Sequence, residues 1–206
     1  MSRLPKVAII ELGCQYTLLI ARVLREIGFR SVILDPQRAA HWLQNNEVRA
    51  IILSGGAASV YDAEAPQPPD AALSLLHAGK PVPILGICYG MQWIAQHLHG
   101  RVQPIASTRE YCEAHLSIIS DRLFKETPFK QTVWMNHGDS VATLPDGFKA
   151  IGFTGMDTIA AMTNGIFWGV QFHPEVTHTV HGKTMLKNFM DIAGCEKDWK
   201  ASSLVS

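Results

Sequence analysis

Long hydrophobic runs, an excess of either charge and paired cysteines are all missing from this 206-residue sequence. No stretch approaches the roughly 18 consecutive apolar residues of a membrane span. The opening Met1-Ser2-Arg3-Leu4-Pro5-Lys6 leads into only four apolar residues, Val7 to Ile10, before Glu11, too few for a signal-peptide core. Lys+Arg and Asp+Glu are both 18, so the formal charge is zero and there is no basic field for nucleic acid or an anionic membrane. A small or locally recognised partner fits that balance better. Cys14, Cys88, Cys112 and Cys195 lie far apart, without CxxC or any metal-ligand spacing. The expectation is a reduced, cytoplasmic chain with neither a disulfide scaffold nor a metal site. Internal repeats, low-complexity tracts and a GxxxxGK[ST] phosphate loop are also absent.

What the sequence does contain, at 47% hydrophobic residues, is enough apolar material for one sizeable core. Val7–Ile10, Ser31–Leu34, Ala50–Leu53 and Pro83–Ile87 are short continuous apolar runs, the mark of strands buried on both faces of a parallel sheet. Helical spacing from Tyr16 to Ile27, stopped by Gly28, separates the first two. Further helices are expected over 38–46, 70–79, 89–99 and 181–192, with 65–70 a stiff proline-rich loop. The second half alternates instead: Ala114–Ile118 and Gln131–Met135 read as half-exposed antiparallel strands, and Asn164-Gly165 marks a hairpin between 159–162 and 166–172. The expected fold class is α/β: a largely parallel central sheet flanked by helices, with an additional antiparallel β region. Residues 1–195 form the expected domain and 196–206 a tail, or the start of a linker.

Gly86-Ile87-Cys88-Tyr89-Gly90 ends an apolar run and begins an amphipathic one. The pattern Gly-x-nucleophile-x-Gly places a nucleophile on a sharp strand-to-helix turn, with glycines where neighbouring backbone passes too close for a side chain. In this reading the sulfur is exposed at the tip of the turn, at a helix N-terminus that favours thiolate. A buried strand cysteine with glycine neighbours is the other reading. A nucleophile needs a base, and the base an orienting group. In Phe172-His173-Pro174-Glu175, proline keeps the preceding backbone extended, so His173 and Glu175 project to the same side. A strand-end ion pair would look the same in isolation. Taken with the elbow, Cys88, His173 and Glu175 form a candidate triad. Tyr89 N–H and a glycine of Leu53-Ser54-Gly55-Gly56-Ala57 are candidate oxyanion donors. Ser54 to Ser59 also resembles the SGGxDS loop of ATP pyrophosphatases, but Ala58 stands where that loop carries aspartate.

Ile52-Leu53-Ser54-Gly55-Gly56, Gly86 to Gln92 and Gln171 to Glu175 together resemble the signatures of class I glutamine amidotransferases, in an order that covers nearly the whole chain. Within that family, Gly13-Cys14-Gln15-Tyr16-Thr17, Tyr89, His137-Gly138-Asp139 and Pro174 to Thr179 are most similar to the amidotransferase part of GMP synthases. The resemblance implies a flavodoxin-like fold and hydrolysis of L-glutamine through a thioester on Cys88. His173 would act as acid and base, Glu175 would orient it, and Gly56 and Tyr89 would hold the oxyanion. It assigns the amino-acid end of glutamine to Gln92, Asn136 and His137. Its implied partner is an ATP-dependent synthetase domain or subunit that aminates XMP to GMP, with ATP and Mg needed there and no cofactor in this chain. The alternatives are an amidotransferase serving anthranilate, carbamoyl phosphate or CTP synthesis, or a γ-glutamyl hydrolase. Four positions depart from the pattern: Ala57 for proline, Asn136 for serine, Cys14 for serine and Cys112 for glycine. Neither extra cysteine has a partner histidine nearby in sequence, so both read as structural or incidental.

Overall fold

A computed structural model describes residues 5–104, 110–155 and 158–200. In chain order its strands and helices are β1 (Val7–Ile10), α1 (Thr17–Glu26), β2 (Ser31–Leu34), α2 (Pro36–Asn45), β3 (Ala50–Leu53), β4 (Leu76–His77), β5 (Lys80–Pro81), β6 (Ile84–Ile87) and α3 (Tyr89–His97). There follow β7 (Arg101–Pro104), β8 (Glu110–Ile118), β9 (Lys130–His137), β10 (Asp139–Thr143), β11 (Lys149–Thr154), β12 (Thr158–Thr163), β13 (Phe167–Val170) and α4 (Gly182–Ile192).

Nine strands make one sheet in the order β2-β1-β3-β6-β13-β12-β11-β8-β9. From β2 to β13 every pairing is parallel; from β13 to β9 every pairing is antiparallel. Strand β13 is the pivot, with Val170 beside Ile87 on one side and Ala161 on the other. The two expected periodicities follow from this division. β1, β3 and β6 are buried at every position, whereas β9 alternates between exposed or half-buried and buried residues. Val7 and Ile9 join one core cluster with Ile20, Leu24, Leu186 and Phe189 of α1 and α4. Ala8 and Ile10 join the other, with Leu43 of α2 and Ile94 of α3. The sheet is therefore covered on both faces.

Helix α2 begins two residues before its expected start because the Asp35 side chain accepts the Arg38 N–H, with Pro36 just inside the first turn. The helix expected over 70–79 is not there. Asp70–Ala72 forms a single 3₁₀ turn, and the chain then reverses through the β4–β5 hairpin. Ala78 and Gly79, both at positive φ, make the reversal, and Pro81 and Pro83 follow at once. A ten-residue segment with so few good partners does not hold a helix against that turn. The expected tail is anchored where it begins. Asp198 accepts the Arg30 N–H at 2.7 Å, and the Trp199 ring lies under the guanidinium groups of Arg25 and Arg30. Residues 201–206 of that tail lie outside the described residues.

The loops after β1, β3, β6 and β13 all emerge at the carboxyl edge of the parallel half, the usual place for a site in such sheets. Ser54 ties two of them together: its N–H donates to Ile10 O at 3.0 Å, and its buried hydroxyl accepts the Leu12 N–H at 2.9 Å. Close approach is enforced at the elbow, where a Cβ on Gly86 would lie 2.5 Å from the carbonyl of Gly90. A Cβ on Gly90 would in turn lie 2.6 Å from Leu53 O. Gly86→Ala is expected to cost about 2–3 kcal/mol in urea denaturation, because backbone must move to admit the methyl group. A change within about 0.5 kcal/mol would show that the elbow is loosely packed.

Candidate active site

Cys88 stands between β6 and α3 with φ 52° and ψ −105°. For a residue with a Cβ this conformation is strained by roughly 1–3 kcal/mol. It persists because Cys88 N–H donates to Val170 O at 2.8 Å while Cys88 O accepts the Gln92 N–H at 3.1 Å. The elbow forms as expected, but its sulfur is not exposed at a tip. Cys88 is only 2% accessible, and its thiol reaches Asn136 O at 3.5 Å. The glycine loop after β3 and the β9–β10 turn close over it, which makes the sulfur part of a cavity wall.

His173 lies past the end of β13 and is 2% exposed. Its N–H donates to Trp134 O at 3.0 Å, and its carbonyl accepts the Thr179 hydroxyl at 2.6 Å. That same hydroxyl accepts the Trp134 N–H, so β9 clamps the loop from both sides. The edge of the Tyr16 ring closes another side, with ring centroids 5.3 Å apart. His173 Nδ1 lies 2.7 Å from Glu175 Oε1. A carboxylate only accepts, so Nδ1 carries the proton and Nε2 is left with its lone pair, on a ring that meets Cys88 across Gly55. The two side chains meet as anticipated, although His173-Pro174-Glu175 is a turn and not an extended strand. The hydrogen bond to Thr179 and the packing of Pro174 O against Gly182 bend the chain there.

Burial opposes charge on the imidazole, but the Glu175 carboxylate and the neighbouring Cys88 outweigh it and hold His173 well above its usual 6.5. Glu175 Oε2 is buried and has no hydrogen-bond partner. Gly55 lies against the pair: a Cβ there would be 2.9 Å from His173 Cε1 and 3.5 Å from Cys88 Cβ. Gly56 is as tightly confined, since a Cβ would lie 2.3 Å from Leu12 O. Cys88, His173, Gly56, Gln92, Asn136 and His137 all line one cavity of about 520 Å³, large enough for a small metabolite.

The glutamine amidotransferase class-I family profile matches residues 8–193 of this chain. The chain belongs to the class I glutamine amidotransferases. Full-length relatives named GMP synthase [glutamine-hydrolyzing] are 40% identical in Enterococcus faecalis and 42% identical in Thermobifida fusca. The matches cover 100% and 99% of this chain but only 39% and 38% of those proteins, so the chain spans about two-fifths of their length. The solved structure of a GMP synthase subunit from Thermoplasma acidophilum is 29% identical, with a TM-score of 0.78, over 94% of this chain and 96% of that one. A glutamine amidotransferase structure from Thermotoga maritima, at 19% identity and a TM-score of 0.65 over 93% of this chain and 95% of that one, shares the fold.

In this amidotransferase domain two of the expected substrate contacts, Gln92 and His137, both meet the Asp139 carbonyl. Gln92 Nε2 donates to Asp139 O at 2.7 Å and lies 3.3 Å from Gln171 Oε1, while His137 Nδ1 sits 2.9 Å from Asp139 O. Tyr89, the other proposed oxyanion residue, has a buried ring whose hydroxyl donates to Pro66 O at 2.9 Å. Burial pushes that phenol up to about 12, so it stays neutral. Sequence reasoning missed the Ser59 hydroxyl, 2.6 Å from Asp139 Oδ2, because its partner comes from a distant turn that only the fold brings to the loop. Cys14, read from the sequence as structural or incidental, lies beside the imidazole–carboxylate pair and lines the same cavity. Donor atoms of Cys14, His173 and Glu175 lie within 4.8 Å of one another. Cys14 and His173 are joined only by the fold, so local sequence carried no sign of it.

A folded pKa raised above the unfolded value means that charged His173 stabilises the native state fully below about pH 6.5, with the contribution fading as pH rises through the native midpoint. Histidine NMR is expected to show the His173 midpoint above 6.5. Glu175→Gln should lower it, and an unchanged midpoint would mean that the carboxylate does not support the charged ring.

Proposed function

We propose that this domain hydrolyses L-glutamine to glutamate and ammonia with Cys88 as nucleophile. The observation that carries the reading is the Glu175–His173 hydrogen bond of 2.7 Å beside Cys88, with Gly55 so close to both that a Cβ there would lie 2.9 Å from His173 Cε1 and 3.5 Å from Cys88 Cβ. In its neutral form, with Nδ1–H on Glu175, His173 takes the thiol proton at Nε2, and the sulfur attacks the side-chain amide carbon of glutamine. The carbonyl π electrons move to oxygen, where the Gly56 and Tyr89 N–H groups, the latter at the start of α3, hold the negative charge. Collapse expels the nitrogen as ammonia, which takes its proton from His173, and leaves a γ-glutamyl thioester. His173 then removes a proton from water as it attacks the thioester, and glutamate leaves with the free thiol restored. Glu175 fixes the tautomer throughout. Gln92, Asn136 and His137 hold the amino and carboxyl end of the substrate.

Similarity to glutamine-hydrolysing GMP synthases along essentially the whole chain supports a partner, an ATP-dependent synthetase domain or subunit that aminates XMP to GMP. ATP and Mg belong to that partner, and the ammonia passes to it. A cytoplasmic setting suits these soluble substrates, and among the described residues no helix is long and apolar enough to cross a membrane.

Cys88→Ala should abolish glutamine hydrolysis, measured as glutamate release, with little change in urea midpoint. His173→Ala should lower kcat by roughly 10³-fold or more, and Glu175→Ala by less, because it acts through the imidazole. Retained hydrolysis in Cys88→Ala would refute the nucleophile. Mixed with an XMP-aminating synthetase, the chain should support glutamine-dependent GMP formation at a rate above its own isolated glutaminase activity. Coupling to a different synthetase, or turnover of γ-glutamyl peptides in preference to glutamine, would refute the pairing.

A further inference from the structure

Cys14 brings a third kind of donor to the imidazole–carboxylate pair. Its sulfur, a His173 nitrogen and a Glu175 oxygen lie within 4.8 Å of one another. Thiolate, imidazole and carboxylate are the donor set of zinc sites, with bonds of about 2.0–2.3 Å. A second observation points the same way: Glu175 Oε2 is buried without a hydrogen-bond partner, on a residue only 4% exposed. Carboxylate oxygens in that state are costly unless a donor or a cation satisfies them.

We propose that Cys14, His173 and Glu175 form an inhibitory site for a thiophilic divalent cation, of which Zn²⁺ is the type. The ion takes the place of the proton between His173 Nδ1 and Glu175, and the Cys14 sulfur closes the third side. Around an ion with such bonds His173 Nδ1 and Glu175 Oε1, now 2.7 Å apart, open to about 3 Å or more, while rotation of the half-buried Cys14 side chain brings its sulfur in from within 4.8 Å. The Tyr16 N–H, 3.3 Å from Cys14 Sγ, supports the sulfur as a hydrogen-bonding outer partner. Cys14 borders the cavity, so water fills the remaining coordination position.

Charge balances on binding. The neutral ring moves its one proton from Nδ1 to Nε2, and the Cys14 thiol releases its own to water as the doubly charged ion enters. Thiolate and carboxylate then neutralise the ion in a buried setting. The ring keeps its proton on Nε2, so it has no lone pair to accept the Cys88 proton. The bound ion therefore silences the imidazole without touching the nucleophile.

The test titrates Zn²⁺ into the whole chain against a chromophoric chelator and follows glutamate release in parallel. One equivalent should bind, activity should fall over the same concentrations, and EDTA should restore it. Cys14→Ser, which keeps an acceptor for the Tyr16 N–H, and Cys14→Ala should each weaken binding by about 10-fold or more, as loss of a metal-site group does. Cys88→Ala, inactive in hydrolysis, should bind Zn²⁺ as the parent chain does, so the site is tested apart from the nucleophile assignment. Parent-like binding by the Cys14 variants, loss of binding in Cys88→Ala, or failure to bind one equivalent would each overturn the proposal.

Discussion

Everything in this site hangs on a backbone conformation that Cys88 adopts at a local cost. At φ 52° the residue turns the chain from strand β6 directly into helix α3, and the turn needs glycine at 86 and 90, where a Cβ would lie 2.5 Å from the Gly90 carbonyl and 2.6 Å from Leu53 O respectively. Parallel pairing of Leu53 with Gly86 on one side, and of Ile87 with Val170 on the other, holds the turn in place. The same pairing delivers the Gly55–Gly56 loop and His173 to the sulfur. The geometry of the sheet is thus also the geometry of the site.

A second constraint acts on the imidazole. His173 is held by backbone hydrogen bonds from both sides, by the Tyr16 ring and by Glu175, which leaves one nitrogen for one partner. Preorganisation of this kind costs stability in the resting protein, where a carboxylate oxygen stays unpaired. It removes the reorganisation that would otherwise be needed when a proton moves. The strained elbow and the unsatisfied Glu175 oxygen are both local departures from folding preference, and both fall at the site.

The parallel half of the sheet was legible in the sequence because Val7–Ile10, Ala50–Leu53 and Ile84–Ile87 are buried on both faces and carry no polar residue. The antiparallel half was legible from alternation and from Asn164-Gly165, where Gly165 takes the positive φ the turn requires. The expected helix at 70–79 failed because apolar spacing there reports only partial burial beside the sheet, while Ala78-Gly79 and two prolines govern the backbone. At the site, the glycines around Cys88 announced a close approach that the fold confirms. The depth of the sulfur was not legible, since it depends on the β9–β10 turn folding over it from another part of the chain. Cys14 illustrates the same limit, as its proximity to His173 is made by tertiary structure alone. Family membership rests on a match across residues 8–193, whereas the roles given to single residues rest on geometry and chemistry.

The central claim is that Cys88 carries the acyl group between glutamine and water. Acid-quenched mass spectrometry of the chain during glutamine turnover tests it most directly, with peptide mapping to locate the adduct. A γ-glutamyl adduct on the peptide containing Cys88, absent from those containing Cys14, Cys112 and Cys195, is the predicted result. An adduct on another cysteine, or turnover with no covalent species at any quench time in a variant slowed in deacylation, would contradict the account.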